Sequence, residues 1–301
     1  MGPARPAHHG LTERNQMKLA TFDSGAGPQL GVVAGDRIIP LKSASPGLPA
    51  DMIGMIAAWP NHQSEVRAIA DRAEGAPALD QVRLLAPIRR PGKIMAIGLN
   101  YADHIAESGM ETPKEQVWFA KASTAANGPF DAIQVPRVSP FLDYEAELVV
   151  VIGQGGRHIS REAAPAAVFG YCCGDDATER AWQHRTPQWT LGKSFDTHAP
   201  FGPWITTADE IPDPHALSIR GLVNGELRQE SNTRHLVFDI WDQIAQLSGA
   251  MTLEPGDLIF TGTPGGIGAA MSPRQFLKAG DRVRVEIEGL GAIENPCAAE
   301  V

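Results

Sequence analysis

The sequence predicts an α+β fold rich in strands, with a small N-terminal α/β domain ahead of a larger β-rich one. Three observations carry this. From Lys93 onward, short apolar runs recur between Gly, Pro, Asn and Asp residues. Helical stretches are fewer and scattered between them. A proline-rich stretch, "LLAPIRRPGK", with Pro87 and Pro91, divides the chain.

The elements follow in order. Residues 1–16, "MGPARPAHHGLTERNQ", lack the apolar core of a signal and read as a disordered tail. His8 and His9 in it read as passive residues rather than a metal site. Met17 begins an alternating pattern. "KLATFD" and "LGVVAGDRIIPL" read as strands, with Gly35-Asp36 as a hairpin turn. "DMIGMIAAW" and "NHQSEVRAIADRAE" read as helical, which completes a small domain over 17–88. The larger domain, 89–301, holds the strands "KIMAIGL", "ELVVVIG", "VFGYCCGDD", "GPWITT", "SIRGLVNGEL", "DLIFTG" and "DRVRVEIEGLG". Asn224-Gly225, Pro255-Gly256-Asp257 and Gly280-Asp281 mark turns between them. Helices are expected near 101–108, 161–167 and 235–249; in the last, Leu236, Ile240, Ile244 and Leu247 share a face.

Composition narrows the function classes. The 301 residues are 43% hydrophobic and 20% charged, as in a soluble globular protein with a sizeable core. A net charge of −9 argues against nucleic acid or an anionic membrane as partner, yet leaves room for a small anion at a locally cationic site. Cys172, Cys173 and Cys297 form neither a disulfide framework nor a zinc spacing. They read as buried thiols in a reducing compartment, hence a cytoplasmic protein. No run approaches a membrane span.

"DYEAELVVVIG", residues 143–153, carries the sharpest chemical signal. Side chains alternate along a strand, so Glu145, Glu147, Val149 and Val151 share one face, opposite Tyr144, Ala146, Leu148, Val150 and Ile152. Apolar residues on both faces predict a strand covered on both sides. Two readings of the glutamates stand: the strand emerges into water, or they are ligands for a hard cation. "GYCCGDDATERAWQ" ends another apolar run on Asp175 and Asp176, which point to opposite faces, so one of them can join the glutamates in an oxygen shell. "GLNYADHIAESG" places His104 and Glu107 three apart on a helix, a spacing suited to a carboxylate-oriented general base. Lys193 in "TLGKSFDTHAPFGPW" is suited to face an anionic intermediate. "IFTGTPGGIG" follows a strand but matches no nucleotide-binding pattern. It reads as a turn or as a backbone cradle for a carboxylate.

Taken together and in this order, "LNYADHIAESG", "DYEAELVVVIG", "DDATERAWQ", "LGKSFDTHAPFGPW", "FTGTPGGIG" and "VEIEGLGAIEN" resemble the fumarylacetoacetate hydrolase family, in its bacterial acylpyruvase-like branch. The resemblance implies a β-sandwich roll as catalytic domain, a homodimer, and Mg²⁺ as cofactor, with Mn²⁺ or Ca²⁺ as substitutes. It implies Glu145, Glu147 and Asp176 as metal ligands. His104, Glu107 and Lys193 are implied as catalytic residues, and Tyr101, Arg180, Gln183 and Thr263 as substrate-binding ones. The implied reaction is hydrolysis of a carbon–carbon bond in a 2,4-dioxo acid, through a cation-bound pyruvate enolate. Decarboxylation or keto–enol isomerisation of an oxaloacetate-type acid shares that enolate and is the alternative; a silent metal-dependent small-acid binder is another. Two departures bear on substrate identity: Asp175 stands where the family usually has asparagine, and Ala181 where it has a second acid after the arginine.

Overall fold

The computed structural model describes residues 16–103, 105 and 111–300. The expected tail therefore lies outside the described residues apart from Gln16, as do residues 104 and 106–108 of the helix expected at 101–108, of which Ala102, Asp103 and Ile105 are helical. The strands read from the sequence appear in that order, joined by Val117–Lys121 and Gly291–Ala299, which the sequence reading did not single out. They are β1 Lys18–Asp23, β2 Pro28–Ala34, β3 Arg37–Pro40, β4 Ile94–Gly98, β5 Val117–Lys121, β6 Ala146–Ile152, β7 Val168–Asp175 and β8 Ala199–Thr207. Then come β9 Ser218–Val223, β10 Glu226–Asn232, β11 Leu258–Phe260, β12 Arg282–Ile287 and β13 Gly291–Ala299. The turns expected at Gly35-Asp36 and Asn224-Gly225 join β2 to β3 and β9 to β10, with Asn224 and both glycines at positive φ.

The main sheet runs β3-β2-β1-β8-β7-β6-β11-β4-β5. Its long pairings are antiparallel except β11 with β4. β1 pairs with β8 through Lys18↔Thr206 and Leu19↔Ile205, so residues 17–40 continue the sheet that carries the rest of the chain. A second sheet, β10-β9-β12-β13, ends on a short parallel strand, Ile133–Val135.

The two faces of β6 divide as its sequence predicts. Val149 and Val151 join a core with Met52, Met55, Ile56 and Val66 of the helix α1, Met52–Ala70. Leu148, Val150 and Ile152 join another core with Ile219 of β9, Val285 of β12, and Ile240, Ile244 and Leu247 of the helix α2, Ile240–Ala250. β6 is thus covered by a helix on one side and by a sheet and a helix on the other, which explains its unbroken apolar run.

The helices differ from the sequence reading in their ends. The two stretches around Pro60 form one helix, capped by Asp51, whose carboxylate accepts from Gly54 N–H at 2.9 Å; Pro60 itself is exposed. α2 begins at Ile240 rather than 235, because Asp239 accepts from Asp242 N–H at 2.9 Å and caps it there. Leu236 pairs instead with Tyr101 in an isolated bridge. Of the expected 161–167 helix, only Ala164–Ala167 is helical, with Pro165 in its first turn. The three cysteines are buried and free.

One buried group gives the fold a pH dependence. His198 is fully buried and its Nε2 lies 2.8 Å from Gln134 O. Burial holds its imidazole down to about 3, with a backbone hydrogen bond to Gln134 working the other way. An unfolded histidine takes up its proton near 6.5. Between those values the unfolded chain binds the extra proton, so stability falls as pH drops through that window and is independent of this group above it. His198→Gln, which keeps a donor, should flatten the slope by up to about 1.4 kcal/mol per pH unit. Urea midpoints between pH 7 and pH 4 check this.

Candidate active site and metal centre

The site is built where β6 begins and β7 ends. Their register places Ala146 opposite Asp175 and Glu147 opposite Gly174. Just past β7, Asp176 N–H donates to Glu145 O at 2.9 Å, which folds the chain over the start of β6. Glu145, Glu147 and Asp176 thereby each offer an oxygen within 4.8 Å of the others. They are 6%, 1% and 0% exposed, so the reading in which the strand emerges into water is overturned. Asp175 points away, as alternation predicts, and its Oδ1 accepts from Glu145 N–H at 2.8 Å. Burial pushes it up to about 8.

Buried carboxylates require partners, and three cations supply them. Lys193 Nζ donates to Glu145 Oε2 at 2.7 Å and to Asp176 Oδ2 at 2.6 Å. Arg180 Nη1 lies 2.7 Å from Glu145 Oε1, and its Nε donates to Asp143 Oδ2 at 2.9 Å. Lys121 Nζ donates to Asp176 Oδ1 at 2.5 Å. Burial disfavours the charge on Lys193, but Asp176 and Glu145 outweigh it and hold the ammonium above the usual lysine range. For Lys121 burial wins, and its ammonium is held down despite Asp176. The ring of Phe119 lies 4.7 Å from Lys193 Nζ.

Glu147 is different. Among the described residues no ion pair reaches it; its Oε2 accepts from Gly262 N–H at 2.8 Å. Gly262 sits at φ +105°, where a Cβ would come within 2.8 Å of Asn100 Cβ, and its N–H points onto the carboxylate. The glycine-rich loop thus cradles a carboxylate, and that carboxylate is the protein's own. Burial, then Asp176 and Glu145, push Glu147 well above the ordinary range. A divalent cation would relieve this unmet negative charge. The donor set fits one: three carboxylates with spare lone pairs, and neither His nor Cys among them, as a hard ion such as Mg²⁺, Mn²⁺ or Ca²⁺ prefers.

The cluster opens onto a cavity of about 320 Å³. Glu145, Glu147, Arg180, Gln183, Lys193 and Thr263 give it a polar floor, and Ile97, Ile267 and Trp189 give it apolar walls. The Trp189 ring lies against Gly98 so closely that a Cβ there would come within 2.4 Å of it. Thr263 is fixed by donating to Ala146 O at 3.0 Å and accepting from Gln229 Nε2 at 2.8 Å. A larger groove of about 590 Å³, between α1 and residues 153–155, has none of this cluster in its walls.

The structure therefore brings together Glu145, Glu147, Asp176, Arg180, Gln183, Lys193 and Thr263. Tyr101 is buried behind them and does not line the cavity; its hydroxyl feels the charge of Glu147 and has no hydrogen-bond partner among the described residues. His104 and Glu107 lie outside the described residues. Four side chains of the site were not singled out from sequence: Lys121, Asp143, His184 and Gln229. Asp143 alone had a signal, since it precedes Glu145 and Glu147 at the same two-residue spacing.

Comparison with known proteins identifies the family. The pattern of the fumarylacetoacetate (FAA) hydrolase C-terminal domain matches residues 93–298. The mitochondrial oxaloacetate tautomerase of Xenopus laevis is 42% identical over 303 residues, covering 96% of this chain and 95% of that protein. A human counterpart is 42% identical over 290 residues, covering 93% and 91%. Among solved structures, the maleylpyruvate hydrolase of Sphingobium sp. SYK-6, in complex with manganese(II) and pyruvate, superposes with a TM-score of 0.81 at 36% identity, covering 95% of this chain and 100% of that one. The fumarylacetoacetate hydrolase of Exiguobacterium antarcticum gives 0.82 at 35% identity, covering 94% and 100%. With its motifs in order, its acid triad assembled and this likeness over nearly its whole length, the chain belongs to the fumarylacetoacetate hydrolase family.

Proposed function

We propose that this chain is a divalent-cation-dependent enzyme that interconverts the keto and enol forms of an oxaloacetate-type acid. The observation that carries this is the position of Lys193, whose ammonium is fixed between two candidate ligands and lines the cavity. A cation held by Glu145, Glu147 and Asp176 would polarise the substrate's carboxylate and 2-oxo oxygens and carry part of an enolate's charge. Lys193 places a second, fixed positive charge beside the developing oxyanion. Arg180 and Gln183 face the same cavity and orient the acid head group. Lys121 and Lys193 hold both oxygens of Asp176, so its carboxylate is oriented before substrate arrives. Ile97, Ile267 and Trp189 exclude water from the enolate carbon. His104, oriented by Glu107, is assigned to carry the proton between carbon and oxygen. The similarity to oxaloacetate tautomerases over nearly the whole chain supports this choice.

A second reading keeps the enolate and changes the first step. If His104 deprotonates water, hydroxide attacks the distal carbonyl of a 2,4-dioxo acid and the carbon–carbon bond breaks, releasing pyruvate. The His104/Glu107 spacing and the likeness to maleylpyruvate hydrolase favour it.

Oxaloacetate enol decay and pyruvate release from acylpyruvates, each with Mg²⁺ and with chelator, separate the two. Accelerated enol decay that chelation abolishes, without pyruvate release, supports the tautomerase; the reverse pattern supports the hydrolase; activity on neither removes both. In either case His104→Ala should lower turnover on the order of 10²–10⁴-fold and spare cation affinity measured by calorimetry.

A further inference from the structure

We propose that Asn100 is a positioning residue for the divalent cation: through one peptide unit, Thr261–Gly262, it fixes the carboxylate of Glu147. The inference rests on the cation-dependent reading above and names the residue that sets one ligand in place. Asn100 lies two residues past β4 and is fully buried. Its Nδ2 donates to Thr261 O at 2.8 Å and to Phe238 O at 3.0 Å, and its Oδ1 accepts from Phe238 N–H at 2.8 Å. The Phe238 N–H can only donate, so the amide atom facing it is the oxygen, and both amide hydrogens are committed to the two carbonyls. The Asn100 backbone carbonyl accepts from Val237 N–H at 2.8 Å, so main chain and side chain are both anchored.

The Thr261 carbonyl and the Gly262 N–H belong to one trans peptide plane and point in opposite directions. Asn100 holds the carbonyl, and Glu147 Oε2 receives the N–H at 2.8 Å. Rotating this plane by half a turn would break both bonds at once and aim the carbonyl oxygen at the carboxylate. The chain before the plane is tied down separately, since the N–H and hydroxyl of Thr261 both donate to Leu148 O, at 3.1 and 2.9 Å. On the other side stands Gly262, whose lack of a Cβ leaves the plane with little restraint of its own. The Asn100 amide supplies that restraint. The bond that the carbonyl accepts also polarises the plane and makes its N–H a better donor to Glu147.

The test is a double-mutant cycle of Asn100→Ala and Glu147→Gln in the full chain, read as Mn²⁺ affinity from the electron paramagnetic resonance signal of the free ion. Loss of a residue that orients a ligand commonly costs about 10–100-fold in metal affinity, and Asn100→Ala should lose that much. In the Glu147→Gln background, where the ligand charge is gone, adding Asn100→Ala should change the remaining affinity by less than about twofold. A residue that only supports the fold would lower both alike. Wild-type affinity in Asn100→Ala, or the same loss in both backgrounds, overturns the proposal. Should Asn100→Ala not fold, or the weakened binding be too small to read, the ¹⁵N-labelled wild type decides. Mg²⁺ should then shift the Asn100 side-chain amide together with the Gly262 amide, and a Gly262 shift that leaves Asn100 in place overturns the coupling. No Mn²⁺ binding to the wild type overturns the cation reading itself, and this proposal with it.

Discussion

Glu147→Gln should cost this protein its divalent cation. The amide keeps the shape and the acceptor for Gly262 N–H but removes the charge. Loss of a partner that merely supports a ligand already weakens metal sites by about 10–100-fold, so loss of a ligand charge should weaken Mg²⁺ or Mn²⁺ binding by more than about 100-fold. Stability moves the other way. Burial and two neighbouring carboxylates already disfavour ionised Glu147 in the metal-free protein, so the neutral side chain should leave the metal-free melting temperature unchanged or higher. Added cation should raise the wild-type melting temperature and leave that of the variant in place. Calorimetry and thermal melts with and without chelator measure both. A variant that binds the cation normally would remove Glu147 from the ligand set.

Lys193→Met should spare the cation and cost the reaction. Truncating the ammonium removes the fixed charge that faces the developing oxyanion. Loss of a single such donor commonly lowers turnover about 10²–10³-fold. Cation affinity should not fall, because Arg180 still pairs with Glu145 and Lys121 with Asp176. The variant should also lose more affinity for oxalate than for pyruvate, since oxalate imitates the planar, doubly charged enolate and pyruvate does not. Equal losses for both ligands would assign Lys193 to ground-state binding instead.

Much of the site was legible because period-two alternation is a strong rule. It placed Glu145 and Glu147 on one face and sent Asp175 and Asp176 apart, and the structure bears out both. It also foretold that β6 would be covered twice. Helix ends were less legible, since they depend on which residue caps. Apolar spacing carried the expected helix back to 235, whereas Asp239 caps it at Ile240 and Leu236 bridges Tyr101 instead. Lys121 was not legible at all. A lysine closing a strand ordinarily reaches water; only the fold of the chain after β7 brings Asp176 over it. Such contacts are made by tertiary folding, and no local pattern announces them.

The pairing of β1 with β8 sets how this protein can be divided. The family pattern begins at residue 93, which invites trimming the chain there. Trimming would strip β8 of its neighbour along Thr206 and Ile205 and leave backbone N–H and C=O groups open on a bared edge. It would also remove α1 from above Val149 and Val151 and expose the apolar face of β6. An open edge beside an uncovered apolar face invites strand addition by another copy, and hence aggregation. The first segment thus acts as the sheet's own edge protection, and the portion after residue 92 should aggregate when expressed without it.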